Sequence, residues 1–195
     1  MSKRDPERKK QKHAQESALS IRQLWQEKKQ VLLLAAGFAA LMGVFYSFWF
    51  SDFFTTNILE PVIRANARVA SGMLNLMGFN TIASGSDIRS AAAAFSVSIK
   101  NGCDALEPVA IYSFAVLLTP VPFRMKFPGL ATGIPLLLAI NQARIISLYI
   151  FGIYSKFLFE LMHVQVWQAL FIAITLIILI YWIAWAARKQ SSPQP

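Results

Sequence analysis

The stretch "VQVWQALFIAITLIILIYWIAWAA", residues 164–187, contains no charged side chain and is closed by Arg188 and Lys189. A helix needs about 20 apolar residues to cross the hydrocarbon core of a bilayer, and this stretch meets that length. It therefore predicts a transmembrane helix that ends at a membrane surface.

Three other apolar stretches have a comparable length. Residues 31–50, "VLLLAAGFAALMGVFYSFWF", are too long for a signal-peptide core, and no small-residue cleavage site follows, so they predict an uncleaved anchor. Residues 104–119 end at "PVP" (120–122), and residues 129–150 form the last stretch. Of the 195 residues, 55% are hydrophobic and only 15% are charged, which is typical of a membrane protein. We expect an all-α integral membrane protein with about four transmembrane helices.

Basic residues indicate which helix ends face the cytoplasm. Residues 1–30 carry nine Lys or Arg against four Asp or Glu, and the positive-inside rule places this tail in the cytoplasm. Four spans then put residues 51–103 and 151–163 outside and the C-terminus inside. The tail also predicts contact with anionic lipids rather than nucleic acid, since no nucleic-acid motif accompanies the charge. Further cations fall on the predicted inside: Arg124, Lys126, Arg188 and Lys189.

This pattern divides the chain into five parts. They are a basic cytoplasmic tail (1–30), an anchor (31–50), an extracytoplasmic segment (51–102), a three-helix membrane core (103–187) and a short cytoplasmic tail (188–195).

The extracytoplasmic segment contains an amphipathic pattern over residues 57–77. Polar and apolar residues each recur at spacings of three or four, which predicts a helix lying on the outer membrane surface. Gly/Ser turns and the alternating run "FSVSI" follow within residues 78–102, and they predict a small β-hairpin or an extended loop. The polar set is Asn57, Glu60, Arg64, Arg68, Ser71 and Asn75; the apolar set is Ile58, Val62, Ala65, Val69, Met73 and Leu76.

Cysteine and histidine are scarce. Cys103 is the sole cysteine of the chain, which excludes an intrachain disulfide and any paired-cysteine metal or redox motif. The two histidines are His13 and His163, too few for a protein-only metal cage. We therefore expect neither a metal nor a cofactor.

The predicted topology brings three reactive side chains to one depth near the outer surface. Cys103 lies at the outer start of the second span, and His163 lies at the outer start of the fourth. Arg144 lies six residues before the outer end of the third, about 9 Å below it. Each residue alone has an ordinary explanation, as a buried thiol, a snorkelling cation and an interfacial imidazole. Their coincidence favours function, and Asn141 extends the polar stripe of Arg144 by one turn.

Those three side chains suit nucleophilic catalysis. A thiol attacks as the thiolate, so His163 would accept the proton of Cys103 and Arg144 would stabilise an oxyanion. Asp104 and Glu107 have the D-x-x-E spacing of a capping box at the start of the second span. Capping is the simpler explanation for both acids, and a supporting or substrate-binding role is the alternative.

The stretches "NGCDALEP" (101–108) and "FELMHVQVWQA" (159–169), with the N-x-x-R pattern at Asn141 and Arg144, resemble the exosortase/archaeosortase family of membrane cysteine transpeptidases. The resemblance is greatest to the exosortase H subgroup, and it implies that Cys103, Arg144 and His163 are the catalytic set. One departure is visible, because the family usually has glycine two positions after the cysteine and this chain has Ala105.

The resemblance also implies partners and location. The substrates would be exported proteins with a C-terminal motif, a membrane helix and a basic end. They would be cleaved at the outer face of the bacterial cytoplasmic membrane and passed to an envelope lipid or glycan. Two alternatives stay open: a non-enzymatic transport or assembly component with Arg144 and Asn141 lining a polar path, and a thiol sensor acting through Cys103.

Overall fold

The computed structural model describes the backbone of residues 6–92 and 94–191 and the side chains of residues 28–92 and 94–191. It divides into two compact units, Met1–Leu41 and Met42–Pro195. In its described part the first unit is helical and belongs to α1 (Pro6–Trp49). The predicted lipid contact of the basic tail rests on side chains before residue 28, and residues 192–195 of the predicted C-terminal tail also lie outside the described residues.

Three described helices are long and apolar enough to cross a membrane, which confirms the all-α, multi-pass membrane class. They cover Lys28–Trp49, Phe123–Tyr154 and Lys156–Ser191. The predicted span at 104–119 is shorter: α4 covers Leu106–Leu118, or 13 residues. At 1.5 Å per residue α4 is about 20 Å long, below the ~30 Å hydrocarbon core. It ends at the predicted "PVP" motif, because Pro120 disfavours helical torsions at Thr119, whose ψ is 131°.

The connection at 151–163 was expected to be a loop outside the membrane, but nearly all of it is helical, and its outer position stays a prediction. Helix α5 runs from Phe123 to Tyr154, and α6 (Lys156–Leu161), a π-turn (Met162–Val166) and α7 (Trp167–Ser191) follow. Ser155 alone is extended, and its hydroxyl caps α6 by accepting the Leu158 amide at 3.4 Å. Ser155 therefore connects α5 directly to α6, and no longer loop separates the two helices.

The amphipathic segment forms a helix as predicted, but a different face is buried. Short α2 (Asp52–Phe54) and a π-turn (Thr55–Leu59) lead into α3 (Glu60–Leu76). The C-terminal part of the predicted apolar stripe stays exposed: Val69 is 48% exposed, Met73 44% and Leu76 90%. Contact of this stripe with the outer membrane surface stays a prediction. The buried face is instead formed by Ile63, Asn66, Ala67, Ala70, Ser71 and Leu74.

The predicted hairpin is confirmed and has a third strand. Strands β1 (Thr81–Ser84), β2 (Asp87–Ser90) and β3 (Ser96–Ser98) form an antiparallel sheet in chain order. Ile88 and Val97 of this sheet are buried, in the same cluster as Leu74 of α3 and Tyr149 of α5. The sheet therefore covers the buried face of α3 on one side of the core.

A second cluster joins α4, α5 and α7. Tyr112, Val116, Leu137, Phe171 and Trp182 are its buried residues, with Ala105. The Tyr112 hydroxyl donates to the Gly129 carbonyl at 2.9 Å, and a Cβ at Gly133 would lie 2.3 Å from the Tyr112 ring. Missing side chains on α5 thus let α4 pack against it, and this contact places the loop before α4 beside the middle of α5.

Candidate active site

The loop before α4 turns sharply around Cys103. The Cys103 amide donates to the Lys100 carbonyl at 3.0 Å. The buried carboxylate of Asp104 accepts the Gly102 amide at 2.9 Å and the Leu106 amide at 2.8 Å. One side chain therefore holds backbone on both sides of the cysteine, and Gly102 takes a positive φ of 90° at the turn.

The capping box is not formed. The N-cap of α4 is Ala105, which has a left-handed φ of 71° and no side-chain cap. Asp104 still accepts a hydrogen bond from the amide of Leu106, the first residue of the helix. It therefore binds a free amide at the start of α4, as a capping residue does, although it is not the N-cap. Glu107 instead accepts a hydrogen bond from the Tyr46 hydroxyl. Ala105, which stands where the family pattern has glycine, is the residue that takes the left-handed torsion.

Three side chains hold the three successive carbonyls of this loop. Arg144 Nη1 lies 3.4 Å from the Gly102 oxygen, and Asn141 Nδ2 donates to the Cys103 oxygen at 3.1 Å. On α3, Asn66 Nδ2 donates to the oxygen of the next residue, Asp104, at 3.2 Å. All three donors are buried. The loop is therefore fixed from two helices.

His163 approaches the cysteine from the π-turn between α6 and α7. Its Nε2 lies 3.8 Å from Sγ of Cys103, and its ring packs 5.6 Å from that of Phe159. Its Nδ1 is buried without a hydrogen-bond partner among the described residues. A π-turn inserts an extra residue into a helix and is frequent at functional sites; here it carries the imidazole.

Arg144 lies farther from the end of its helix than the sequence predicted. Helix α5 continues to Tyr154, so Arg144 lies ten residues, or about 15 Å, from the helix end rather than 9 Å. It is 5% exposed, its Nε has no partner, and no ion pair within the described residues involves it. A buried cation without a counter-charge is costly, and it favours an anionic species beside it.

Burial controls the resting state of the thiol. Cys103 is 9% exposed, and this burial raises its pKa above the ordinary value, while the Arg144 charge opposes the rise and Asp104 adds to it. The thiol is therefore protonated at neutral pH in the free protein. A proton acceptor is needed for nucleophilic attack, and the imidazole nitrogen at 3.8 Å is in position to be one.

A cavity of about 220 Å³ opens beside these groups between α4, α5 and α7. Gly102, Glu107, Arg144 and Gln168 form part of its wall, and Phe171 is among the apolar residues that complete it. The polar part adjoins the cysteine loop. Within residues 28–92 and 94–191, no three His, Cys, Asp or Glu side chains cluster as metal ligands would.

The comparison with known families agrees with this geometry. The family model described as "Transmembrane exosortase" matches residues 28–181, well over half of the chain. The chain belongs to the transmembrane exosortase family. The matched region of this exosortase includes Cys103, Asn141, Arg144 and His163. No curated protein and no solved structure gives a significant match.

Two polar residues at the exosortase site were missed from the sequence. Gln142 Nε2 donates to Asn66 Oδ1 at 2.5 Å, so these two amides form a chain that ends on the cysteine loop. A signal was present, because Asn66 shares a helical face with Ile63, Ala67 and Ala70. One amide on a face of small apolar residues indicates a buried hydrogen bond.

Proposed function

We propose that this exosortase is a membrane-embedded cysteine transpeptidase with Cys103, His163 and Arg144 as its catalytic residues. The observation that carries the proposal is the 3.8 Å approach of Cys103 Sγ to His163 Nε2 beside Arg144, whose guanidinium has no ion pair among the described residues. These residues come from three separate segments and meet at one place, where Cys103 and Arg144 are buried and His163 is half-buried.

The chemistry follows from the three groups. His163 Nε2 accepts the Cys103 proton, and the thiolate sulfur attacks the scissile carbonyl carbon. Arg144 stabilises the oxyanion of the tetrahedral intermediate. When the intermediate collapses, the C–N bond breaks, the leaving amine takes the proton from His163, and the acyl group remains on Cys103 as a thioester. An acceptor hydroxyl or amine then attacks the thioester, and the thiol is restored. The 3.8 Å contact would shorten once substrate is bound.

The proposed substrates are exported proteins with a C-terminal motif, a membrane helix and a basic end, and the acceptor is an envelope lipid or glycan. The cavity beside Arg144 lies between α4, α5 and α7, and we expect a chain anchored in the bilayer to enter it from the side. We place the protein in the bacterial cytoplasmic membrane, with both termini in the cytoplasm and the site open to the outside. The cations at 124, 126, 188 and 189 support this orientation.

Two features speak against the alternative functions. Asn141 is fully buried and its amide is bonded to the Cys103 carbonyl, so it does not line an open polar path. Burial of the Cys103 thiol disfavours an intermolecular disulfide, which a thiol sensor would need.

The decisive experiment compares the C-terminus of a tail-bearing substrate by mass spectrometry in cells with the native protein and with Cys103→Ser. Processing is expected to stop in the variant while the inserted protein keeps its abundance. Treating the native protein with hydroxylamine during turnover should release the substrate from a thioester. Continued processing by Cys103→Ser would refute the proposal.

A further inference from the structure

Asn66 is a polar residue on the buried face of α3. It is 7% exposed, and Ala67, Ala70 and Leu74 of the same face are fully buried. A buried amide that lacks hydrogen-bond partners destabilises the folded state. The partners of Asn66 therefore indicate why an amide occupies this position.

Both polar atoms of the Asn66 side chain are in use. Nδ2 donates to the Asp104 carbonyl at 3.2 Å, and Oδ1 accepts from Gln142 Nε2 at 2.5 Å. One bond needs a donor and the other needs an acceptor, so the two bonds together set the orientation of the amide. Gln142 on α5 holds Asn66, and Asn66 holds the loop.

The bond from Asn66 completes the set on three successive carbonyls. Arg144 and Asn141 reach the first two, both from α5. Asn66 reaches the third, the Asp104 oxygen, from α3. Without Asn66 the loop would be held by side chains of one helix only and could tilt about it. Cys103 belongs to this loop and His163 to a separate segment of the chain. The backbone torsions of the loop therefore decide whether Sγ is directed at His163.

We propose that Asn66 is a positioning residue, which keeps Cys103 Sγ directed at His163 by holding the Asp104 carbonyl, and that Gln142 acts through Asn66. This inference rests on the proposed function, since it takes Cys103 and His163 as the reacting pair. It also assigns a task to α3, because this helix restrains the loop of the nucleophile.

The chain offers a matched control for a role in stability alone. Ser71 lies on the same buried face of α3, is 5% exposed and shares a hydrogen bond of 2.9 Å with Thr81 Oγ1. Its bonds go to the sheet side and not to the cysteine loop. Ser71→Ala and Asn66→Ala therefore each remove one buried polar side chain from α3, and only the second frees the loop.

The first measurement is processing of a tail-bearing substrate by purified, membrane-reconstituted protein. Asn66→Ala should lower kcat about 10–100-fold with little change in KM, because alignment of the nucleophile is lost and not substrate binding. Ser71→Ala should keep kcat. The double variant Asn66→Ala/Gln142→Leu should be no slower than Asn66→Ala. An unchanged kcat in Asn66→Ala, or an equal loss in Ser71→Ala, would overturn the inference.

The second measurement does not depend on proteolysis. The rate of Cys103 alkylation by iodoacetamide is compared in proteins with His163 and with His163→Ala. The ratio of the rate with His163 to the rate with His163→Ala should be about 10 when the rest of the protein is native. The same ratio should be near one with Asn66→Ala and should keep the native value with Ser71→Ala. Should Asn66→Ala fail to fold, Gln142→Leu is expected to lower the ratio in the same direction.

The two measurements separate failure of this inference from failure of the proposed function. A native ratio retained in Asn66→Ala and in Gln142→Leu refutes the positioning role, whatever the activity. If the ratio of alkylation rates is one in the native protein, His163 does not activate Cys103, and both the proposed reacting pair and the role of Asn66 are refuted. If Cys103→Ser still processes substrate but the ratios follow the expected order, the proposed function fails and the positioning role stands.

Discussion

The side chain of Asn141 donates from Nδ2 to the carbonyl oxygen of Cys103 at 3.1 Å, although 38 positions separate the two residues. Asn141 is fully buried, and its Oδ1 has no hydrogen-bond partner among the described residues. Nδ2 of the amide therefore restrains the loop of the nucleophile, while Oδ1 is desolvated without a compensating hydrogen bond.

Because only one of these two atoms is hydrogen-bonded, we expect Asn141→Leu to affect activity more than stability. The variant loses one hydrogen bond but also removes an unpaired buried acceptor, so the free energy of unfolding should change by less than about 2 kcal/mol. The rate of substrate processing should fall about 10-fold or more, because the Cys103 carbonyl is released. Thermal unfolding and processing are measured on the same preparation. Native processing in Asn141→Leu would contradict the expectation.

The left-handed torsion of Ala105 predicts an unusual response to glycine. In a left-handed conformation an alanine pays about 1–2 kcal/mol that glycine does not, and this offsets the methyl group lost on substitution. Ala110 is also buried but lies inside helix α4, where Ala→Gly has no such compensation. We expect Ala105→Gly to be less destabilising than Ala110→Gly by about 1 kcal/mol or more, as measured by thermal unfolding. Equal losses would mean that the torsion carries no strain.

The protonation of Cys103 is measurable by alkylation as a function of pH. Burial raises the Cys103 pKa and the Arg144 charge lowers it, so the midpoint of labelling should lie above the ~8.5 of a free thiol. Removing the positive charge with Arg144→Leu disfavours the thiolate and should move the midpoint to still higher pH. Arg68→Leu, on the exposed side of α3, is the control and should leave the midpoint in place. A downward shift in Arg144→Leu would show that the guanidinium does not act on the thiol.

Close packing of α4 on α5 predicts that Gly133→Ala is destabilising. The added Cβ would lie 2.3 Å from the Tyr112 ring, and relief of that overlap costs about 1–3 kcal/mol. Gly72→Ala on α3 meets nothing within 4 Å and should be neutral or stabilising through helix propensity. The difference between the two unfolding temperatures is the readout. Similar temperatures would indicate that α4 and α5 approach less closely.

Much of the fold was predictable because membrane helices are specified by local composition. Long apolar runs with cations at one end predicted the anchor and the last two spans, and polar residues at spacings of three or four predicted α3. The prediction failed where one or two residues decide the outcome. Ser155 alone connects α5 to α6 where a loop of 13 residues was expected. The stop at Pro120 was predicted, but α4 begins only at Leu106 and is too short for a full span.

The choice of buried face on α3 was also beyond the sequence pattern. Both candidate stripes are apolar enough to pack, and the sheet covers the one that contains Ala67 and Ala70, because small residues allow close approach. The exposed stripe around Met73 and Leu76 is the more hydrophobic by side-chain size, so a rule based on hydrophobicity alone selects the wrong face.

The sequence by itself determined that this protein crosses a membrane several times, and it predicted that a thiol, a guanidinium and an imidazole lie at a similar level. That much follows from run lengths and from the cost of placing charges in hydrocarbon. Only the tertiary structure decided that the three groups share one point, that the site lies about 15 Å from the end of α5, and that Asn66 and Gln142 belong to it. The physical reason is that these contacts join residues 38 to 76 positions apart, and no local spacing encodes which faces of different helices meet.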